Sequence, residues 1–370
     1  MADPALICEV SANGGVYSNW LTVQVSQDFR TDGWVRHFRL VCAEPSSTAS
    51  LMLAPGDQVD ITLAGQTVIQ QGYIRDRQAA YDGNRHAVEV SGYSKAGLIT
   101  AASIDGGTGQ YRGYKVDAIA NAVLQNYGIS FSVQNGPSGW DTPFPNVIVR
   151  NGESPFSLIS RLCKQRGLFF YADASGNIQA GPNSNSGMVS FVEGQNILAA
   201  NCHLTMPEVD KLVFNSQLTG SDSAYGKKVS EIQAQSSISG GQPGTLKQMA
   251  EMPLDQQGVQ LRTGWEAARL QAMTMEVSIT YQGWLKPGVG GLWDPSDGAS
   301  VQSPMLFPTS SGGETLKVAG FTYQQDANGG TTTTVILVNQ LAWNQQFPNG
   351  QTADPVFNQT ITQPQVESAT

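Results

Sequence analysis

Charge is scarce in this chain: Asp, Glu, Lys and Arg make up 14% of its 370 residues, against about 25% in an average domain. Cations are fewest, with 21 Lys and Arg against 30 Asp and Glu, for a net charge of −9. That balance argues against general binding to nucleic-acid backbones, which needs clustered Lys and Arg, and no sequence-specific nucleic-acid binding is expected. Histidine is nearly missing. His37, His86 and His203 show no His-x-x-x-His spacing for a metal. Cys8, Cys42, Cys163 and Cys202 form no Cys-x-x-Cys pair, so neither a zinc site nor a redox dithiol is indicated. All four are expected to be reduced and buried in a cytosolic setting. No run approaches the roughly 18 apolar residues that span a bilayer. The N-terminus, Met1 to Leu6, lacks the basic segment and apolar core of a signal peptide.

Catalytic motifs are missing too. Gly136-Pro-Ser-Gly139 is one residue short of a nucleophile elbow and lies in a proline-rich loop. Gly226-Lys227-Lys228 lacks the spacing and the following hydroxyl of a phosphate loop. Carboxylates are the one abundant catalytic group: Asp141, Glu153, Asp173, Asp294 and Asp297. Trp140, Trp284 and Trp293, near Gly and Pro, could form a sugar platform. A glycosidase pair is a matter of three-dimensional separation, and nothing in the spacing singles out two of these groups. No catalytic, cofactor-binding or metal-binding residue is assigned, no cofactor is expected, and the chain is expected not to be an enzyme.

What is present is turn-rich β patterning: 40 glycines, with 40% hydrophobic residues, which excludes a disordered chain. At this length two or more domains are expected. Leu21, Val23 and Val25 alternate with polar residues, as do Phe38, Leu40 and Cys42, then Val59, Ile61 and Leu63, then Val88 and Val90. Breakers such as Pro55-Gly56 and Asp82-Gly83-Asn84 separate them. Short strands at this spacing suggest a small barrel or sandwich. Beyond residue 204 the β pattern returns, with a helix near Thr263 to Met273 and alternation at Val277, Ile279 and Tyr281. A Ser/Gly/Gln-rich stretch over 220–258 reads as a long loop. The two β regions echo each other. Gly56-Asp57-Gln58-Val59, Gly72-Tyr73-Ile74, Asp82-Gly83, Val88 and Val90 form one series. Asp297 to Val301, Gly320-Phe321-Thr322, Asn328-Gly329, Val335 and Leu337 form the other.

The stretch from Glu153 to Tyr171 carries the sharpest local signal. Ser154 is a good N-cap and Pro155 suits the first helical position. Phe156, Ile159, Leu162 and Cys163 share one face. Gly167 can take the left-handed conformation that ends a helix. Leu168 to Tyr171 then reads as a strand, turned back by Asp173 to Asn177 into Ile178. Upstream, Val116 to Ile129 reads as a short helix ending in Tyr-Gly-Ile.

These two blocks resemble contractile-tail baseplate hubs: the phage late control D proteins, the Mu-type hub, and the hub portion of type VI secretion spike proteins. The matching residues are Glu153, Phe156, Ile159, Arg161, Leu162 and Gly167, and the order of parts agrees over roughly residues 5–345. The resemblance implies a mainly β fold with an α+β insert. Two similar small β-barrel "tube" domains would take 1–104 and 196–345, the latter with the long loop 220–258. A small α/β module would take 105–195, and a polar tail 346–370. It implies a homotrimeric ring with pseudo-sixfold symmetry in the virion's tail baseplate, assembled in the host cytoplasm. Its partners would be further copies of itself, a separate central spike protein, the tail tube protein, the tape-measure protein and other baseplate proteins. The alternative is a carbohydrate-binding or peptidoglycan-acting β-protein.

Overall fold

In the computed structural model the described residues are 3–28, 33–43, 53–81, 86–105, 109–181, 188–220, 222, 225–295, 297–308 and 313–339. The expected tail, 346–370, and the turn Asp82 to Asn84 lie outside them. Seven strands form the first β unit: β1 (Cys8–Ala12), β2 (Gly15–Tyr17), β3 (Thr22–Asp28), β4 (Gly33–Ala43), β5 (Gln58–Leu63), β6 (Gln66–Tyr81) and β7 (His86–Tyr93). Their order is β3-β4-β7-β6-β5-β1-β2, and each neighbouring pair is antiparallel. The alternation in the sequence sets the inner face. Val10, Val23, Val25, Leu40 and Ile61 are buried because a period of two sends every second side chain to one side of the sheet.

An α/β module follows: α1 (Leu98–Ala101), β8 (Gln110–Tyr111), α2 (Val116–Leu124), β9 (Phe131–Val133), β10 (Val147–Ile148), α3 (Pro155–Gln165), β11 (Phe170–Ala172) and β12 (Ile178–Ala180). The caps of α3 are those the sequence announces. The Ser154 hydroxyl accepts from the Ser157 N–H at 3.2 Å, Pro155 opens the helix, and Gly167 has φ +67°. Leu158, Ile159, Leu162 and Cys163 pack against Ile119, Val123 and Leu124 of α2 in a core of the module's own.

The second β unit uses β13 (Val189–Val192), β14 (Ala199–Leu204), β18 (Met275–Gln282), β19 (Gly298–Gln302), β20 (Glu314–Asp326) and β21 (Gly330–Asn339). Between β14 and β18 lie β15 (Lys211–Ser216), α4 (Lys227–Ser230), β16 (Ile232–Ser237), β17 (Thr245–Met249) and α5 (Gln256–Ala272). The stretch 220–258 is therefore not the long loop its composition suggests. β16 and β17 flank β15 in a three-stranded sheet, and α5 closes a third core with Leu212, Phe214 and Val259. Its strands are polar on the outer face, so weak alternation such as Ile232 and Ser236 hides among Gln and Ser.

The echo between the β regions is a repeat of architecture. The second unit runs β14-β18-β21-β20-β19-β13, strand for strand with β3-β4-β7-β6-β5-β1 of the first. Only the last pairing changes direction, since β13 and β19 are parallel. Isolated hydrogen bonds recur in step. The Leu21 N–H donates to the Val41 carbonyl at 2.7 Å and the Leu198 N–H to the Thr280 carbonyl at 2.8 Å. The Asp57 carbonyl accepts from the Ile74 N–H at 3.0 Å, and that of Asp297 from the Val318 N–H at 2.9 Å. A register shift follows in both, between Ile74 and Asp76 and between Val318 and Gly320. The counterpart of Gly320 is thus Asp76, not Gly72.

Candidate functional site: the joint between the β units

The two units share one sheet. β3, an outer strand of the first unit, pairs antiparallel with β20, bringing Asp28 opposite Gly320, Val25 opposite Tyr323 and Val23 opposite Gln325. The result is a 13-stranded sheet over a core drawn from both units. Gly320 lets β3 approach: a Cβ there would meet the Gln27 carbonyl oxygen at 2.9 Å.

Under the joint sits a buried polar clamp. Arg36, 1% exposed, lies in β4. Its Nε donates to Gln27 Oε1 at 3.0 Å, its Nη1 to the Val68 carbonyl at 2.8 Å and its Nη2 to Asp294 Oδ1 at 2.5 Å. The guanidinium also lies 5.5 Å from the centre of the Phe321 ring. Gln27 donates in turn to the carbonyls of Trp34 at 2.8 Å and Ala172 at 2.9 Å. One pair of side chains therefore ties the first unit, the module and the second unit together. A buried cation is tolerated because its donors are met. Beside it, the Trp293 N–H donates to the Tyr323 hydroxyl at 2.5 Å and Trp293 Nε1 to the Tyr281 hydroxyl at 2.8 Å. Burial holds Tyr323 well above the ordinary tyrosine range and pushes Tyr281 up to about 12, so both hydroxyls stay neutral.

Each carboxylate named from the sequence is structurally engaged. Asp141 meets Lys115 at 3.1 Å on the surface. Glu153 is buried and takes Arg161 at 2.9 Å as well as the Arg150 N–H at 2.9 Å. Asp173 caps its turn through the Ser175 and Asn177 N–H groups. Asp294 holds Arg36, and Asp297 holds Lys286 at 3.1 Å. Burial raises Asp297 above the ordinary aspartate value, against the pull of the Asp294 N–H and of Lys286. Trp284 and Trp293 are fully buried and offer no platform, while Trp140 packs half-buried on the module core. His37 is lowered by burial and by the Arg75 charge, His203 lies in β14 and His86 opens β7. Cys8, Cys42 and Cys163 are buried, but Cys202 is only half-buried, against expectation. The described residues hold no group of His, Cys, Asp and Glu fit for a metal, and no helix among them is long and apolar enough to cross a membrane.

Sequence reasoning missed Arg36 and Gln27, although both occupy inward positions of alternating strands, in phase with Phe38 and Val25. It also missed the α5 network. Arg262 is buried and bonded to Glu251 at 2.8 Å and Glu266 at 2.9 Å, with Arg269 on the far side of Glu266.

Residues 7–94 match the sequence family described as Mu phage baseplate assembly protein GpP-like, N-terminal. Residues 96–181 match baseplate hub protein gp44-like, second domain. Over these two segments the chain is similar to phage baseplate proteins. No curated protein matches this chain in sequence. Among solved structures, it is similar to the 43 kDa tail protein of prophage MuSo2 from Shewanella oneidensis, with TM-score 0.77 and 24% identity over 91% of this chain and 99% of that one. A tail protein from Neisseria meningitidis MC58 gives TM-score 0.74 and 15% identity over 92% and 98%. The E. coli c3393 protein, a component of the type VI secretion system, gives TM-score 0.56 and 11% identity over 89% and 76%. At these identities the three share the fold. The mainly β fold with its helical insert is therefore that of phage tail proteins.

Proposed function

We propose that this protein is the baseplate hub of a contractile phage tail: a homotrimeric ring that joins the tail tube to a separate spike and passes tape-measure protein and DNA. The observation that carries the reading is the repeat itself. Two units of one strand order, joined edge to edge, give six equivalent units in a trimer, which suits a sixfold tube above and a threefold spike below. On this reading the units 1–104 and 196–345 line the bore, and the module 105–195 lies outside, having no second copy in the chain. The net charge of −9 favours a neutral or acidic lumen along which a phosphate backbone slides. The partners are the spike, the tube, the tape-measure protein and other baseplate proteins, assembled in the host cytoplasm. No observation favours a sugar-binding or peptidoglycan-acting role: Trp284 and Trp293 are buried, and each named carboxylate is engaged in an ion pair or a turn. The test is mass in solution: a trimer by analytical ultracentrifugation at micromolar concentration supports the hub. A chain that stays monomeric, or a bore lined by residues 105–190 or ringed by Lys and Arg, defeats it.

A further inference from the structure

Each β unit has two kinds of edge, and the chain uses only one of each kind. The edge of β3 meets the edge of β20 within the chain. The corresponding edges are those of β14, counterpart of β3, and of the second half of β6, counterpart of β20. β14 pairs with β18 alone and ends the described sheet. The pairing of β5 with β6 stops at Tyr73. Beyond Ile74, β6 pairs only with β7 among the described strands, and Asp76, Gln78, Ala79 and Ala80 are exposed or nearly so. Both edges therefore present backbone donors and acceptors on one side with no described strand to meet them.

We infer that β14 of one copy adds antiparallel to the Asp76–Ala80 edge of β6 in the next copy, repeating between chains the β3–β20 joint made within the chain. The occupant is a second copy of this protein, and the inference rests on the ring reading above. The repeat fixes the register. Matching hydrogen bonds and strand partners align Thr22 with Ala199 and Val25 with Cys202, and Gly320 with Asp76. The pair Val25 and Tyr323 then becomes Cys202 and Ala79, and Ser26 with Thr322 becomes His203 with Gln78.

Two further observations favour this. β14 reads Ala-Ala-Asn-Cys-His-Leu, without the Lys, Pro or inward charge by which solvent-facing edges resist pairing. Leu204 is 49% exposed, yet its counterpart Gln27 is 1% exposed under the β3–β20 joint. Leu204 is thus an apolar side chain at a position that the first unit covers. The Thr205 N–H donates to the Thr274 carbonyl at 2.8 Å. By alternation Ala200, Cys202 and Leu204 turn their N–H groups to the open side.

The register gives a cross-linking test in the full chain. Across such a pair the Cα atoms stand about 5.5 Å apart, within disulfide range. Ala79→Cys, oxidised mildly, is expected to link to the natural Cys202 of a neighbour. A non-reducing denaturing gel should show a ladder ending at three chains, and peptide mapping should find the 79–202 bridge. Adding Cys202→Ser should abolish the ladder, because the other three thiols are buried. As a second measurement, Ala200→Pro removes an N–H that faces no described strand. It should leave thermal unfolding of the chain unchanged and lower the assembled fraction at least tenfold. A trimer by ultracentrifugation without the 79–202 bridge, or one indifferent to Ala200→Pro, overturns the edge pairing and leaves the ring reading standing. A chain that stays monomeric and unlinked overturns both.

Discussion

Asp57 and Asp297 do the same job in the two β units at different depths. Each carboxylate accepts from the backbone N–H three residues earlier, Ala54 at 2.8 Å and Asp294 at 3.0 Å. Each main-chain carbonyl takes the N–H that precedes the bulge. Yet Asp57 is only half-buried, with Asn13 as a further partner at 2.9 Å, while Asp297 is 1% exposed and leans on Lys286. The same contrast marks the bulges. Gly320 lies pressed under β3, and Asp76, its counterpart, faces outward. What the repeat preserves is backbone hydrogen bonding. Side-chain identity follows whatever covers each copy, so the differences between the units map which surface is already in use.

The largest effect should come from breaking that contrast at its buried end. Asp297→Ala strands a mostly buried Lys286 and is expected to cost about 3–5 kcal/mol. Asp57→Ala should cost about 1 kcal/mol. Urea unfolding of the two variants measures the gap, and equal losses would contradict the assigned environments. Arg36→Ala comes next, at about 2–3 kcal/mol. Asp294 can rehydrate, but Gln27 and the Val68 carbonyl lose their buried donors. Lower cooperativity in the urea transition would accompany it if the clamp couples the units. Gly320→Val should cost about 1–3 kcal/mol by forcing β3 away, whereas Asp76→Val should leave unfolding of the isolated chain within about 0.5 kcal/mol.

Outside the two units, Gly167→Val tests the helix stop. At φ +67°, with Pro137 Cγ at 3.3 Å from a built Cβ, a β-branched residue should cost about 1–2 kcal/mol. Unchanged thermal stability would remove the left-handed stop. The smallest effect is in acid. Burial raises Asp297 above 3.8; the folded state then holds the proton more tightly, so this group adds stability as pH falls from the raised value through 3.8. Glu266 behaves in the opposite way. Burial pushes it up, but the bonds and charges of Arg269 and Arg262 leave it below 4.5. Its stabilisation is complete above 4.5 and is lost as pH falls through the lowered value. Difference curves against Asp297→Asn and Glu266→Gln, followed from neutral pH into acid, should therefore slope in opposite directions.

Local structure was legible wherever neighbours in sequence decide it. The caps of α3, the turn at Asp173 and the strands with strict alternation depend on residues within a few positions of one another. The recurrence of Asp57 at Asp297 was visible for the same reason, since a turn carries its own signature. The stretch 220–258 was misread because a polar strand held between two partners needs little alternation of its own. Cys202 was expected in the core because composition cannot tell a central strand from an edge.

The sequence by itself settled that this is a β-rich, low-charge chain with one capped helical module and a repeated turn. Tertiary structure alone decided that β3 of one unit pairs with β20 of the other, that Arg36 belongs to the clamp and that β14 is left at an edge. Those outcomes turn on contacts between residues as far apart as Arg36 and Asp294. No local propensity encodes them, because the free energy of a strand edge or a buried charge depends on which distant group arrives to satisfy it.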